Sequence, residues 1–576
     1  MKRILTFCYF VFFVAIFIVL RILSHLEKGV PLWSIIFSVT ILSLVAISIL
    51  LYGLSYKPKR FTWFWKVIPF TLLAHYAIGW YFLGWNPVDT NESLLLLIIG
   101  TCLMFAVFFA AFYLSFKFGY SKSLPAAKSS PKFIAFIFVI TVLCTTIRYL
   151  PNIEDIVNIK VDYVAKLNEI SRPANYDPND NAAPYYQKAF ELCVNQPEQL
   201  NNSDIKVWPE DLPQEKQIVL QNWVSANSGA LKQLELGTQK PYYWPEYQGN
   251  SMFDIALPSL AEARKLMCAV YSRAKLNAAE GNFKGAFSDL LVCYRFGSHL
   301  TGTKTLIEQL AGIAISANAV LNGLEILDKT KPNPDSLKDF QFQLKLLSER
   351  QIYIIDFTAE KLLAYDGIQM TFTDDGKGGG YVPKVGIDQI KNPPEPLKFL
   401  FSDLTEEQKR GWDKLERRQT TELTDEIFEY FNQVRHKTPA QLHNEGKDLE
   451  KVIEEITKDN PFVNMLMPAV GRVIDISYRG QAVTNALITT LAILRYKADK
   501  SQLPKNLDQL VENGYLKGLP VDPYSDSPLA YKQIGDDFIL YSFGVDFDDD
   551  GGTPSKWGEG EQGGDQVFWP VSRKQE

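Results

Sequence analysis

Five long apolar runs within the first 150 residues constrain this chain more than any other feature. They cover residues 5 to 20, 32 to 54, 67 to 85, 94 to 116 and 133 to 147. A helix needs about 20 apolar residues to cross the hydrocarbon core of a bilayer, and most of these runs approach or exceed that length. A cleaved signal peptide would explain only the first run, and no small-residue cleavage site follows it. We therefore expect a bundle of about five membrane helices over residues 1 to 150, embedded in the lipid bilayer.

The charges between these runs predict how the bundle is oriented. Basic residues cluster at positions 2 to 3, 57 to 60 and 117 to 132, on the opposite side from the loop that holds Asp89 and Glu92. Because basic loops stay in the cytoplasm, the N-terminus is predicted to be cytoplasmic and everything after Leu150 to lie outside. Arg21 and Lys28 in the first loop oppose this assignment. The expected location is a bacterial-type inner (cytoplasmic) membrane, with a large C-terminal part outside the cytoplasm.

The part outside the membrane is acidic. Residues 1 to 150 contain thirteen Lys or Arg and three acidic residues, a net charge of +10, and since the whole chain carries -6, residues 151 to 576 carry -16. A surface of this sign has no electrostatic footprint for DNA or RNA, so we expect no nucleic-acid partner.

Residues 151 to 400 have a helical pattern, and one segment of it is distinctive. Residues 274 to 287 (AKLNAAEGNFKGAF) break one Ala-rich helix at Gly281 and Asn282 and begin another. This segment resembles a tetratricopeptide-type helical hairpin, which implies close packing of two helices through small residues. Further helices are expected at residues 185 to 193, 306 to 327 and, after a start signal at Asn333, 337 to 365. Only one repeat matches, so an irregular helical array is expected.

Residues 401 to 470 form a third predicted unit, a charged helical segment exposed to solvent. His436 and His443 lie seven positions apart, which would put them on one helix face, but no further ligand pattern completes a zinc site. We expect surface histidines.

Outside the predicted membrane spans the cysteines are Cys193, Cys268 and Cys293. One disulfide with a spare thiol is an alternative, but buried free thiols are ordinary in Ala-rich helices.

An acidic loop near the C-terminus predicts a calcium site. Asp546, Asp548 and Asp550 alternate along the chain and two glycines follow. Calcium binds six to eight oxygen atoms, and this spacing lets three carboxylates converge. Counted from Asp546, the twelfth position is Trp557 instead of the glutamate of an EF-hand. Further ligands are therefore required, and Asp565 and Glu559 are among the nearest candidates. The alternative is a solvated acidic turn without metal.

Residues 471 to 576 resemble the C-terminal part of the major pseudopilin of type II secretion systems. The shared elements are a Tyr-Lys helix end at 496 to 497, a Leu-Pro corner at 503 to 504, the run GYLKGLPVDP, two short strands around residues 535 and 536, and the acidic loop. The resemblance implies a small α+β domain in which Asp546 and Asp565 bind structural calcium. The long hydrophobic N-terminal helix and prepilin site of a pseudopilin have no counterpart, so filament assembly is not implied.

The fold class expected from these features is mainly α: a five-helix membrane bundle, an exported helical repeat-like domain and a small α+β C-terminal domain. We expect a membrane-anchored scaffold or interaction protein with a protein partner outside the cytoplasm, linked to envelope or secretion processes. An envelope hydrolase acting on a glycan or other polymer is the alternative.

The aromatic stretches at 207 to 209 and 242 to 245 either form a sugar platform or pin loops onto the helices. No catalytic residues are recognisable, and the loop at 374 to 380 lacks the ending of a nucleotide-binding P-loop. A transporter would need ionisable groups within the spans, where His75 stands nearly alone.

Overall fold

The computed structural model describes residue 157 and residues 159–255, 259–350, 353–383, 411–467, 469–555 and 563–571. The predicted membrane bundle, residues 1 to 150, lies outside the described residues, as do Trp557 and Glu559. All of the described residues belong to the unit that runs from Ile153 to the C-terminus.

Helices dominate this unit. They are α1 (Tyr163–Ser171), α2 (Ala183–Leu192), α3 (Asn202–Lys206), α4 (Gln214–Ala226), α5 (Ser228–Thr238), α6 (Ser259–Ala279), α7 (Phe283–His299), α8 (Leu306–Lys329), α9 (Pro334–Ser348), α10 (Thr358–Thr371), α11 (Arg417–Val434), α12 (Pro439–Asn444), α13 (Leu449–Thr457), α14 (Pro461–Leu466), α15 (Val470–Lys500) and α16 (Asp508–Glu512). The mainly α class is therefore confirmed for the part of the chain that the structure describes.

The strands lie in the C-terminal 60 residues. They are β1 (Val521–Asp522), β2 (Ser527–Pro528), β3 (Ala530–Ile534), β4 (Asp537–Ser542) and β5 (Gln566–Trp569). β1 and β2 form a small hairpin, and β3, β4 and β5 form an antiparallel sheet in that order.

The centre of the core is a stack of long helices. α8 packs between α7 and α15, while α6 covers α7 and α9 packs on α15. One continuous cluster of buried side chains runs from Ala182, the residue before α2, to Trp569 on β5. The cluster crosses the predicted boundary at residue 470, because α15 buries Leu487, Leu491 and Ile493 completely.

The predicted hairpin at residues 274 to 287 is the connection between α6 and α7. Gly281 has a φ of 77°, a conformation that favours glycine, and the side chain of Asn282 accepts a hydrogen bond from the backbone N–H of Gly285 at 3.1 Å. Ala274 and Ala286 are fully buried, and the two helices pack on each other. The predicted turn between two packed helices is confirmed.

α8 is the one helix among the described residues that is long and apolar enough to cross a membrane by length and composition. Half of its most apolar window is buried inside the protein. A capping box at its start, formed by Thr305 and Glu308, fixes the helix to its loop. Since α8 packs between α7 and α15, its apolar composition is explained by its central place in the core.

The single helix predicted for residues 337 to 365 was wrong, because the chain forms two helices there. α9 ends at Ser348 and α10 begins at Thr358. Between them Tyr353, Ile355 and Phe357 are all buried. Burial of alternate residues is typical of extended chain, and this segment supplies apolar side chains to the core without a helix.

The two faces of the C-terminal sheet bury different side chains. On β4, Phe538 and Leu540 join the main core, whereas Ile539 and Tyr541 form a separate small cluster with Val567 of β5. The β3–β4 turn contains Gly535, with a φ of 58°, as the sequence predicts. β5 follows the acidic loop, so this loop is the connection between the middle strand and the third strand of the sheet.

Candidate metal centre

The acidic loop begins where β4 leaves the sheet. A short turn of 3-10 helix spans Gly544–Asp546, and Phe547 follows with a φ of 65°. The ring of Phe547 stacks on the imidazole of His443, with centroids 4.1 Å apart and planes inclined by 20°. This contact anchors the loop on α12, and no sequence pattern indicates it.

Three of the four predicted ligands come together. One carboxylate oxygen from each of Asp546, Asp548 and Asp550 lies within 4.8 Å of the other two. Oxygens on opposite sides of a calcium ion are about 5 Å apart, since each lies about 2.4 Å from the ion, so the triad has the spread of a calcium site. The negative charge of Asp546 is the main cause that raises the pKa of Asp548 above its usual value. The three charges therefore repel one another when no cation is bound.

Asp565, the fourth predicted ligand, lies outside that triad but contacts the same loop. It is fully buried, and its Oδ2 accepts a hydrogen bond from the backbone N–H of Gly552 at 2.7 Å. Burial raises the pKa of Asp565 to about 6. Its backbone is also paired, because its N–H donates to the carbonyl of Thr553 at 2.7 Å. Asp565 thus ties the start of β5 to the end of the acidic loop.

Two buried carboxylate oxygens at this loop have no hydrogen-bond donor among the residues that the structure describes. They are Oδ1 of Asp546 and Oδ1 of Asp565, although Oδ2 of Asp546 accepts the N–H of Gly564 at 2.6 Å. Most buried polar atoms are paired with a donor or an ion, and leaving an anionic oxygen buried and unpaired is costly. A cation bound by the triad would satisfy Oδ1 of Asp546, whereas a solvated turn without metal would leave this buried oxygen unpaired.

The neighbouring acid, Asp549, has a different role. Its Oδ1 accepts hydrogen bonds from the hydroxyl of Tyr541 at 2.8 Å and from the N–H of Gly551 at 2.9 Å. Asp549 therefore braces the loop against β4, outside the triad. The alternation of carboxylates in the sequence correctly separates it from the three candidate ligands.

Asp522 is a structural carboxylate that the sequence analysis missed. It is fully buried beneath the loop, and it accepts hydrogen bonds from the hydroxyls of Ser542 at 2.7 Å and Ser525 at 3.0 Å. Burial raises its pKa. The Asp-Pro pair at 522 to 523 is typical of a turn, and this signal could have identified Asp522 as the residue that fastens the β1–β2 hairpin to β4.

No protein-family model, curated protein or solved structure matches this chain. The resemblances to pseudopilins and to tetratricopeptide repeats therefore stay predictions that rest on the quoted residues.

The arrangement predicted for the two histidines was wrong. α11 ends at Val434 and α12 begins only at Pro439, so His436 and His443 do not share a helix face. Proline at the start of α12 separates the two segments, because it cannot continue the preceding helix. Both histidines are at least partly exposed, as expected.

The three cysteines among the described residues are free, as the Ala-rich context predicts. Cys293 is buried, and Cys193 and Cys268 are partly buried. Burial raises the pKa of all three thiols, which keeps them protonated and poorly reactive.

The aromatic stretches pin loops onto the helices. Trp208 is buried, and the hydroxyl of Tyr242 donates to the carbonyl of Asp177 at 2.6 Å. The indole N–H of Trp244 donates to Ser171 at 3.2 Å. These contacts favour the loop-pinning interpretation over a sugar platform.

Proposed function

We propose that this protein is a membrane-anchored scaffold or interaction protein whose C-terminal domain, outside the cytoplasm, is stabilised by calcium. The observation that carries the calcium part is the triad of Asp546, Asp548 and Asp550, in which Oδ1 of Asp546 is buried and has no donor among the described residues. The anchoring part rests on the apolar runs of residues 1 to 150.

Calcium is favoured over other cations by the chemistry of the donors. All the candidate side-chain ligands are carboxylates, which suit hard cations, and neither cysteine nor histidine belongs to the triad. The loop contains Gly551 and Gly552, so backbone carbonyls and water can serve as further ligands. Calcium accepts such additional ligands more readily than magnesium does.

The expected stabilisation follows from mass action. Extracellular calcium modules have dissociation constants of about 0.1 to 1 mM. At a calcium concentration of about 10 mM such a site would stabilise the folded state by about 1.4 to 2.7 kcal/mol. We expect the full-length protein in detergent to melt at a higher temperature in calcium than in EDTA, while the same concentration of magnesium has a smaller effect.

Matched variants test the ligand assignment. Asp546→Asn should abolish most of the calcium-dependent stabilisation. Asp549→Asn removes one charge from the same loop, but its remaining amide oxygen can still accept from Tyr541 and Gly551, so the calcium response should persist. A melting curve of the unaltered protein that is the same in calcium and EDTA would refute the metal site.

The scaffold part of the proposal predicts a partner outside the cytoplasm. Crosslinking in intact membranes, followed by purification of the full-length protein, tests this directly. A specific protein captured in calcium, and lost with Asp546→Asn, would connect the C-terminal domain to the interaction. If the unaltered protein and Asp546→Asn capture the same partner equally well, binding of the partner does not depend on the metal site.

The alternative, a glycan hydrolase, needs two carboxylates about 5 to 9.5 Å apart across a cleft. The cleft found among the described residues, between α1, α10 and α11, has Glu422 as the carboxylate in its lining. No observation in this part of the chain favours the hydrolase.

A further inference from the structure

A cleft of about 450 Å³ opens between α1, α10, α11 and the glycine-rich loop at residues 374 to 380. This volume lies within the usual range for small-molecule sites. The cleft contains none of the acidic-loop residues, so its function can be tested separately from that of the metal site.

Two aromatic rings form one side of the cleft. Tyr163 of α1 and Tyr365 of α10 have ring centroids 6.1 Å apart and planes inclined by 35°. The hydroxyl of Tyr365 is held by Asp425, which also pairs with Lys361 at 2.7 Å. Tyr365 is thereby fixed before any ligand arrives. Lys166 lies over the ring of Tyr163, with its Nζ 5.0 Å from the centroid, so a ligand would pack on the face that Lys166 leaves open.

Two consecutive arginines at the start of α11 form the opposite side. Arg417 donates to the carbonyl of Thr373 at 3.1 Å, and Arg418 donates to the carbonyl of Lys377 at 2.8 Å. A guanidinium carries five N–H donors in a planar fork, and these contacts use only part of each fork. Both arginines are thus held in place by the loop while keeping donors for a ligand.

The charges beside the arginines are balanced, since Lys160, Arg417 and Arg418 face the carboxylates of Asp374, Asp375 and Glu422. Asp374 lies 3.5 Å from Arg417, but it also pairs with Lys160 at 2.7 Å. One carboxylate is therefore shared by two cations. A ligand carboxylate would therefore be recognised by the planar donor forks of the two arginines and not by a local excess of charge.

The glycine-rich loop is shaped by its own hydrogen bonds. Oδ1 of Asp375 accepts the N–H groups of Lys377 at 2.7 Å and Gly379 at 2.9 Å. Gly378, which lines the cleft, has a φ of 87° and so adopts a backbone conformation that favours glycine. The loop is a formed wall of the cleft, and this gives the DDGKGGG sequence a structural role.

We propose that this cleft binds one acidic sugar unit, a hydroxyl-bearing ring with a carboxylate. The carboxylate pairs with the guanidinium forks of Arg417 and Arg418, and the ring packs on Tyr163. Glu422 and Thr421, which also line the cleft, accept hydrogen bonds from the sugar hydroxyls. The acceptor Glu422 favours a ligand with hydroxyl donors, and it disfavours an aromatic acid or a polyanion.

The test uses the full-length protein in a detergent without a sugar headgroup, with EDTA present, and titrates three probes by calorimetry. Sodium glucuronate should bind with a dissociation constant of about 1 mM, as expected for a ligand of this size. Glucose lacks the carboxylate, and 4-hydroxybenzoate lacks the sugar hydroxyls; each should bind at least about tenfold more weakly. Equal binding of glucose and glucuronate would overturn the anionic assignment, and equal binding of 4-hydroxybenzoate would overturn the sugar.

Variants locate the binding. Arg418→Met should raise the dissociation constant for glucuronate at least about tenfold, whereas Arg472→Met removes the same charge from α15, outside the cleft lining, and should leave it unchanged. Tyr163→Leu should weaken binding, and Tyr163→Phe should restore it because the ring is kept. Glucuronate binding that survives both Arg418→Met and Tyr163→Leu, or no binding to the unaltered protein, refutes the proposal. Since EDTA is present throughout, either result leaves the calcium site unaffected.

Discussion

The crossing of α7 and α8 allows a sharp test of the fold, through substitution of Gly297 by alanine. A Cβ atom at Gly297 would lie 2.5 Å from the carbonyl oxygen of Gly312 and 3.1 Å from the backbone N of Ser316. In the other direction, a Cβ at Gly312 would lie 2.9 Å from Cβ of Leu300. The nearest atom of all is the side-chain oxygen of Ser316, which can rotate away, but the backbone of Gly312 cannot, so the two helices must separate to make room.

The size of the effect follows from two opposing contributions. Alanine is a better helix former than glycine by about 1 kcal/mol, which favours the variant. Overpacking a core costs about 1 to 3 kcal/mol, and the upper end applies here because the two helices must separate. The expected net loss is about 2 kcal/mol in the free energy of unfolding. For the unit from Ile153 to Glu576 this corresponds to about 2 °C in the melting temperature.

The assay is thermal unfolding of the full-length protein in detergent, followed by near-ultraviolet circular dichroism, with Gly229→Ala as control. Gly229 also lies in a helix, α5, but its nearest neighbour is Cδ1 of Leu192 at 4.0 Å. Gly229→Ala should be neutral or should stabilise by about 0.5 to 1 kcal/mol. If Gly297→Ala melts at or above the temperature of Gly229→Ala, the close contact between α7 and α8 does not exist.

Two further predictions concern buried charges. Nε of Arg273 lies 3.0 Å from the buried carboxylate of Asp289, and Arg273→Met removes this ion pair. The free energy of unfolding, measured in urea, should therefore fall by about 3 kcal/mol. The double variant Arg273→Met/Asp289→Leu should recover part of the loss. Nδ1 of His299 and the hydroxyl of Tyr186 form a hydrogen bond of 2.6 Å. Burial, together with the charges of Arg350 and Lys304, lowers the pKa of His299 to about 4. The folded protein therefore binds a proton at His299 less readily than the unfolded chain does. The free energy of unfolding should be highest above about pH 6.5 and should fall by about 3 kcal/mol as the pH drops toward 4. His299→Gln should show a flatter dependence on pH, and equal slopes in urea titrations of the two proteins would contradict the assignment.

Local sequence signals predicted the helical part of the fold where turn chemistry and periodicity agree. The Gly281–Asn282 turn and the start of α9 after Asn333 are two such places, since each cap side chain accepts a hydrogen bond from the first turn of its own helix. The segment from Tyr353 to Phe357 could not be predicted in this way. Its apolar residues match a helix continued from α9, and only their long-range burial reveals an extended chain.

The candidate metal site was predictable in part for the same reason. Alternating spacing sufficed to bring Asp546, Asp548 and Asp550 together, since all three lie in one short loop. Asp565 depends on the return of the chain into β5 after residues that no local pattern places. The sequence offered it as one of several nearby candidates, and the resemblance to pseudopilins singled it out. The stacking of Phe547 on His443 joins segments about a hundred residues apart, so no spacing rule could have found it.

The position of the acidic loop determines what a cation would do there. β5 pairs with β4 and with no other strand of the described sheet, and it is attached to β4 along the chain only through the loop. Yet β5 supplies fully buried Phe568, and its Trp569 stacks on Phe538 with centroids 5.4 Å apart. Repulsion among the loop carboxylates therefore acts directly on a strand that completes the core. A cation that neutralises them would hold β5 in the sheet, so we propose that a metal bound here would be structural and that its removal would lower stability mainly at this strand.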